Sequence, residues 1–178
     1  MLATRDVSKA FGGLKALSTV SVQIAPGAIT AIIGPNGAGK TTLMNAISGF
    51  VAPDVGDITV NGASIAGRLP HEVCRKGVAR TFQNLQMFSE MTVLEAVATG
   101  RHLHRRVPIH AELLMLPAAW RAERAALADA RELLALIEVD ETYWERRAGN
   151  LTYGYHRRVD IARALATEPA YLLLDEPA

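Results

Sequence analysis

The octapeptide Gly34-Pro35-Asn36-Gly37-Ala38-Gly39-Lys40-Thr41 stands between an apolar run, Ile29 to Ile33, and a stretch from Thr41 to Ser48 that reads as a helix. Its spacing is G-x-x-x-x-G-K-T. Glycines without a Cβ let backbone N–H groups turn inward around an anion. A helix opening at Thr41 adds the positive end of its dipole to the same point. In such a cradle Lys40 reaches the terminal phosphates and the Thr41 hydroxyl is a ligand for Mg²⁺. The expected phosphate contacts are Gly34, Pro35, Asn36, Gly37, Ala38, Gly39, Lys40 and Thr41, with Thr42 beside them.

Working outward, Ile29–Ile33 has the continuous apolar character of a strand buried on both faces of a parallel sheet. Upstream, Val20, Val22 and Ile24 alternate with Ser21 and Gln23, the period of a strand with one buried face, and Pro26-Gly27 marks a turn. Downstream, Gly49 is placed to stop the first helix. Asp57–Val60 reads as a strand ending in an Asn61-Gly62 turn. Thr92 with Glu95 forms a capping box for a helix running to Gly100. From Arg121 to Glu138, Leu127, Ala130, Leu134 and Ile137 share one helical face. A further helix is expected over Arg157–Thr167, and Tyr171–Leu174 reads as a buried strand. Asp175-Glu176 sit at the end of that strand. Beside a phosphate cradle, the first acid can hold Mg²⁺ directly or through water, and the next can polarise an attacking water. Asp175 is therefore the expected metal-side residue and Glu176 the expected general base.

Residues 101–120 carry Arg101, Arg105 and Arg106 with His102, His104 and His110, followed by Leu113, Leu114 and Leu116. Two readings stand open: a partner-facing or membrane-surface segment, and a solvated connector with one short packed helix.

The net charge of +1 gives no global field for nucleic acid, which is not an expected partner. With 49% hydrophobic and 21% charged residues the chain has the balance of a folded domain. The one cysteine, Cys74, cannot form an internal disulfide and fits a reducing compartment. Met1 to Val7 has no long apolar stretch after a basic start and is not expected to be a signal peptide, and no uncharged apolar run approaches the roughly 20 residues that span a bilayer. Any membrane is expected to be met through a partner.

Leu151-Thr152-Tyr153-Gly154-Tyr155, followed by His156-Arg157-Arg158-Val159-Asp160-Ile161-Ala162-Arg163-Ala164-Leu165, resembles the signature and following helix of ABC ATPases, commonly L-S-G-G-Q. Thr152 keeps the hydroxyl and Gly154 is retained. Tyr153 replaces the first glycine, and Tyr155 stands in place of glutamine. That ring is expected to alter size and hydrogen bonding at a dimer seam, so in a completed chain Tyr155→Gln should raise ATPase activity or leave it unchanged. The resemblance covers the whole chain and is nearest to the ATPases of branched-chain amino-acid importers. Phe11-Gly12-Gly13-Leu14-Lys15-Ala16-Leu17 and Ala79-Arg80-Thr81-Phe82-Gln83-Asn84 carry that likeness, with the His/Arg-rich insertion. It implies an α/β P-loop NTPase of the ABC ATPase type. Such a fold has a mainly parallel core sheet, an N-terminal antiparallel β part and a helical subdomain, here at roughly residues 84–160. It further implies ATP and Mg²⁺ as cofactors, Phe11 stacking on adenine, and Gln83 contacting Mg²⁺ or the attacking water. Thr152, Tyr153, Gly154 and Tyr155 would cover ATP held by a second ABC ATPase subunit, identical or related. Transmembrane permease subunits complete the expected partners, at the cytoplasmic face of the membrane.

The family continues past the acidic pair into a D-loop and a strand ending in a switch histidine. All five histidines here precede Asp175. The expectation is therefore a single ATP-binding domain over residues 1–178, incomplete at its C-terminus, that does not turn over ATP at a meaningful rate as written. ATP hydrolysis powering solute import is the primary reading, and a truncated, non-catalytic nucleotide-binding remnant is the alternative. A soluble ABC ATPase of repair or translation would bring two cassettes or a long coiled-coil insertion, and neither is present.

Overall fold

The computed structural model describes residues 1–81, 89–104, 108, 114 and 116–175. It divides into two compact units, Met1–Ala79 and Arg80–Ala178.

The first unit is built on an antiparallel sheet. Strand β1 (Leu2–Phe11) and strand β2 (Leu14–Ile24) form a hairpin closed by Gly12-Gly13, with Phe11 opposite Leu14 and Leu2 opposite Ile24. Strand β3 (Val55–Val60) pairs with the other edge of β1, and β4 (Ala63–Ser64) continues the sheet in the order β2-β1-β3-β4. The expected Asn61-Gly62 turn joins β3 to β4, both residues left-handed at φ 49° and 81°, as a two-residue hairpin requires. Val20, Val22 and Ile24 are half-buried between exposed Ser21 and Gln23, as their alternation predicts. Helix α1 (Lys40–Ile47) buries Leu43, Met44, Ala46 and Ile47. It stops at Gly49, where a Cβ would stand 2.6 Å from the Arg68 carbonyl oxygen. Helix α2 (Pro70–Arg75) starts on proline, and the Glu72 carboxylate accepts from Leu69 N–H at 3.0 Å.

One expectation for this unit is corrected. Ile29–Ile33 belongs to no strand; Ile29 is fully exposed and Ile33 is 90% exposed. Apolar composition supplies a surface to bury, but a strand forms only where a neighbouring backbone completes the hydrogen-bond ladder. No described strand of this unit pairs with the run.

The second unit is mostly helical. The chain enters it through the end of strand β5 (Val78–Arg80), and within the unit Thr81 N–H donates at 3.0 Å to the Leu173 carbonyl of strand β6 (Tyr171–Leu173). The capping box forms as expected. Thr92 N–H donates to Glu95 Oε2 at 2.8 Å, and Thr92 Oγ1 accepts from Glu95 N–H at 3.1 Å. Helix α3 (Val93–Ala98) then tightens into a 3₁₀ segment, Thr99–His104. Helix α4 spans Pro117–Leu136 and buries Ala130 and Leu134 completely, the face read from the sequence. Its end falls before the expected Glu138 because that residue takes a left-handed φ of 57°. Short 3₁₀ turns at Glu141–Tyr143 and Ala148–Asn150 lead to helix α5 (Tyr153–Leu165), which opens before the expected Arg157. Val93, Val97, Leu134, Val159 and Ala162 join one core, in which α3, α4 and α5 each contribute one buried face. Arg105, Arg106, His110 and Leu113 lie outside the described residues, so neither reading of the 101–120 segment is decided.

Candidate functional site

The loop before α1 takes the shape its glycines permit. Gly37 and Gly39 have φ values of 82° and 86°, a region costly for any side chain. Gly39 is the N-cap of α1 and has a second constraint. A Cβ there would sit 2.4 Å from the Ala16 carbonyl oxygen and 3.0 Å from Leu17 Cδ2. The close approach sets the loop against β2, two residues from Leu14, whose partner in the hairpin is Phe11.

Lys40 Nζ donates to the carbonyls of Gly34 at 2.7 Å and Pro35 at 2.9 Å, so its ammonium spans the loop mouth. The first turn of α1 holds no acid to oppose the helix dipole. Residues 34–38 are exposed, as is Thr41, while Thr42 is half-buried. Left-handed glycines, an unopposed helix start and a cation across the mouth fit a phosphate group.

Phe11 is 49% exposed, with Lys9 Nζ 5.6 Å from its ring centroid. Lys9 is in turn held by Asp54 at 2.6 Å, and Asp54 Oδ2 accepts from Ala10 N–H at 2.8 Å. The hydrogen bond from Lys9, then that from Ala10, holds the Asp54 carboxyl below its ordinary value. Sequence reading gave Lys9 and Asp54 no role. They lie 45 positions apart and meet only through the pairing of β1 with β3.

In the second unit, Asp175 follows β6 at the expected strand end. Its carboxylate is paired with Arg80 Nη2 at 2.8 Å, and both side chains are largely buried. Thr81 Oγ1 accepts from Asp175 N–H at 3.4 Å. Arg80 is thus a constituent of the acidic strand end, a role that its place in the Ala79–Asn84 likeness does not reveal. Gln83 and Glu176 lie outside the described residues. Of the expected metal set, Thr41 belongs to the first unit and Asp175 to the second, and both offer hard oxygens of the kind Mg²⁺ takes. Among the described residues no three His, Cys, Asp or Glu side chains cluster as a metal site.

The signature motif falls at the start of α5. Thr152 is its N-cap in extended conformation, exposed, with no cap hydrogen bond from its side chain. A Cβ at Gly154 would meet nothing within 4 Å, so its face of the first turn is open. Tyr153 is 71% exposed beneath the Arg157 guanidinium, 5.7 Å from the ring centroid. Tyr155 differs from its neighbours. Its ring is half-buried and stacks on Tyr143 with centroids 4.3 Å apart. No described helix is long and apolar enough to cross a membrane.

The ABC transporter family profile matches residues 17–178. The chain is 41% identical over 178 residues to the high-affinity branched-chain amino acid transport ATP-binding protein BraF of Pseudomonas aeruginosa, covering all of this chain and 69% of that protein. It is 39% identical to the corresponding protein LivG of Escherichia coli, with the same coverage. Among solved structures, a nucleotide-free ATP-binding cassette from an ABC transporter superposes with a TM-score of 0.83 at 35% identity, over 99% of this chain and 69% of that one. The ADP conformation of MJ1267, an ATP-binding cassette of an ABC transporter, gives a TM-score of 0.82 at 36% identity, over 99% and 68%.

Proposed function

From the premise that this chain belongs to the ABC transporter family of ATP-binding proteins, we propose that it binds MgATP at residues 34–42 and that hydrolysis there powers import of branched-chain amino acids through partner membrane subunits. The observation that carries the reading is the left-handed Gly39 cap of an acid-free helix start, with Lys40 across the loop. Likeness to transport ATPases of named substrate supports the choice of solute.

In this reading the loop N–H groups and the α1 dipole neutralise the phosphates, and Lys40 exchanges two carbonyl acceptors for phosphate oxygens. Thr41 and Asp175, with Gln83, would hold Mg²⁺, which supplies charge neutralisation on the phosphates. Glu176 takes the proton of the attacking water. Phe11 offers an open ring for stacking on adenine. Thr152 Oγ1 and the Gly154 N–H face a nucleotide held by a second ABC ATPase subunit, identical or related, at the cytoplasmic membrane face.

Replacing Lys40 with Ala should weaken binding of a fluorescent ATP analogue by about tenfold or more, equivalent to about 1.4 kcal/mol. Equal affinities for the two proteins would remove the site assignment. Uptake of labelled leucine by the assembled transporter, lost on Lys40→Ala, tests the solute.

A second reading, nucleotide binding without turnover, is favoured by the exposure of Ile29 and Ile33, the run from which the loop springs. A loop not anchored in a sheet holds its groups with less of the placement that chemistry needs. Tight nucleotide binding without phosphate release, in the presence of membrane subunits, would select this reading over the first.

A further inference from the structure

Tyr155 begins a buried stripe. Tyr155, Val159, Ala162 and Ala166 recur at i, i+4, i+7 and i+11, and the last three are completely buried. Valine and alanine are small, so the one large side chain on this stripe lies in the first turn of α5. Its ring packs against Tyr143 in a tilted pair, centroids 4.3 Å apart at 32°. Cations flank both rings. The Arg146 guanidinium is 4.7 Å from the Tyr143 centroid, and that of Arg158 is 5.9 Å from Tyr155. Arg158 also donates to the Glu138 carbonyl at 2.7 Å, just beyond α4. Tyr143 is itself positioned by its 3₁₀ turn, which Asp140 caps through Thr142 N–H at 2.8 Å.

We propose that Tyr155 is a positioning residue: through its stack on Tyr143 it sets the placement of the first turn of α5, and with it the Thr152 hydroxyl and Gly154 N–H that face a nucleotide on a second copy or related subunit. The inference rests on the reading of that turn as a nucleotide contact. Tyr155 acts on the nucleotide contacts through its neighbours. Its ring faces the core while Thr152 and Gly154 face solvent. Glutamine would lose the ring and bring a polar amide against Tyr143. This reverses the expectation that Tyr155→Gln is neutral or beneficial, because the ring is a half-buried strut.

The test compares wild type, Tyr155→Phe, Tyr155→Gln, Tyr143→Leu and the Tyr155→Gln/Tyr143→Leu double variant. The ATPase is assembled with its membrane subunits, and kcat and KM are referred to folded protein. The fluorescent ATP analogue reports binding at each variant's own loop, and sedimentation reports MgATP-dependent association of the isolated chain. Tyr155→Phe keeps the ring and should stay within about twofold of wild type. Tyr155→Gln should lower kcat and weaken association by about fivefold or more, with affinity at its own loop unchanged, since small misplacements cost rate steeply. The double variant should lose little beyond the larger single loss, the mark of two residues acting as one unit. Unchanged kcat and association per folded molecule in Tyr155→Gln would overturn the proposal, whatever the change in melting temperature. Loss of kcat in Tyr155→Phe equal to that in Tyr155→Gln would also overturn it. A wild type that binds no nucleotide fails the functional reading instead. A wild type that binds nucleotide but neither turns over nor associates removes the second-copy contact, and this inference with it.

Discussion

At the scale of single residues, the glycine most exposed to test is Gly39. Its left-handed φ costs a side chain about 1–2 kcal/mol before any contact is counted. The Ala16 carbonyl 2.4 Å from the added Cβ then forces β2 or the loop to move. Gly39→Ala is expected to lower stability by more than about 2 kcal/mol in urea melts and to reduce nucleotide affinity with it. The motif alone marked Gly39 as necessary. That the necessity is partly a contact with β2, 22–23 positions upstream, was not legible there. Tyr171 points the other way. It is buried and its hydroxyl has no hydrogen-bond partner among the described residues. Tyr171→Phe removes a desolvated hydroxyl and should leave stability unchanged or raise it by up to about 1 kcal/mol, read from the urea midpoint.

Among elements, α4 shows how far periodicity reaches. Its face of Leu127, Ala130, Leu134 and Ile137 was legible from spacing, and Leu134 is completely buried. Leu134→Ala is expected to cost about 2–5 kcal/mol, since α3 and α5 close over the site and cannot collapse fully into the space. Less legible was what ties the 3₁₀ segment Thr99–His104 to the helices. Arg101 pairs with Asp129 at 2.5 Å and also with Glu168. The hydrogen bond from Arg101 holds the Glu168 carboxyl below its ordinary 4.5. A carboxyl depressed in the folded state contributes stability in full above its unfolded value and loses it as pH falls through the folded one. Protection of amides 99–104 from hydrogen exchange should hold near neutrality and fall below about pH 4. Arg101→Gln should lower protection at neutral pH and flatten that dependence. Spacing could not supply these partners, because they lie 28 and 67 positions from Arg101.

For the whole molecule, the exposed run Ile29–Ile33 makes a sharp prediction. A side chain 90% exposed contributes little to stability, so Ile33→Ser should change the unfolding free energy of this chain by no more than about 0.5 kcal/mol. A larger loss in calorimetry would mean that the run is covered in solution. Nucleotide binding supplies the complementary measurement. At about 100 times its dissociation constant, MgATP should stabilise wild type by about 2.7 kcal/mol and, at that same concentration, stabilise a Lys40→Ala protein of tenfold weaker affinity by no more than about 1.4 kcal/mol.

What the sequence determined by itself was local. Gly37, Gly39, Lys40 and Thr41 fix the cradle because backbone permissiveness and charge belong to those residue types. The Thr92–Glu95 box and the stripe on α4 follow from helical period alone. Tertiary structure decided whatever needed a distant partner. Ile29–Ile33 is apolar enough for a buried strand, yet composition cannot supply the neighbouring backbone that makes one. Asp175 is visible as an acid at a strand end, but its ion pair with Arg80 exists only because Arg80 and Thr81 lie beside the end of β6. Tyr155 reads as a departure from a motif, and only the ring of Tyr143, brought beneath it by the turn after α4, makes it a strut. The physical reason is common to all three. Propensity and periodicity act over a few residues, whereas ladders, ion pairs and ring stacks act through space between groups the chain brings together only when folded.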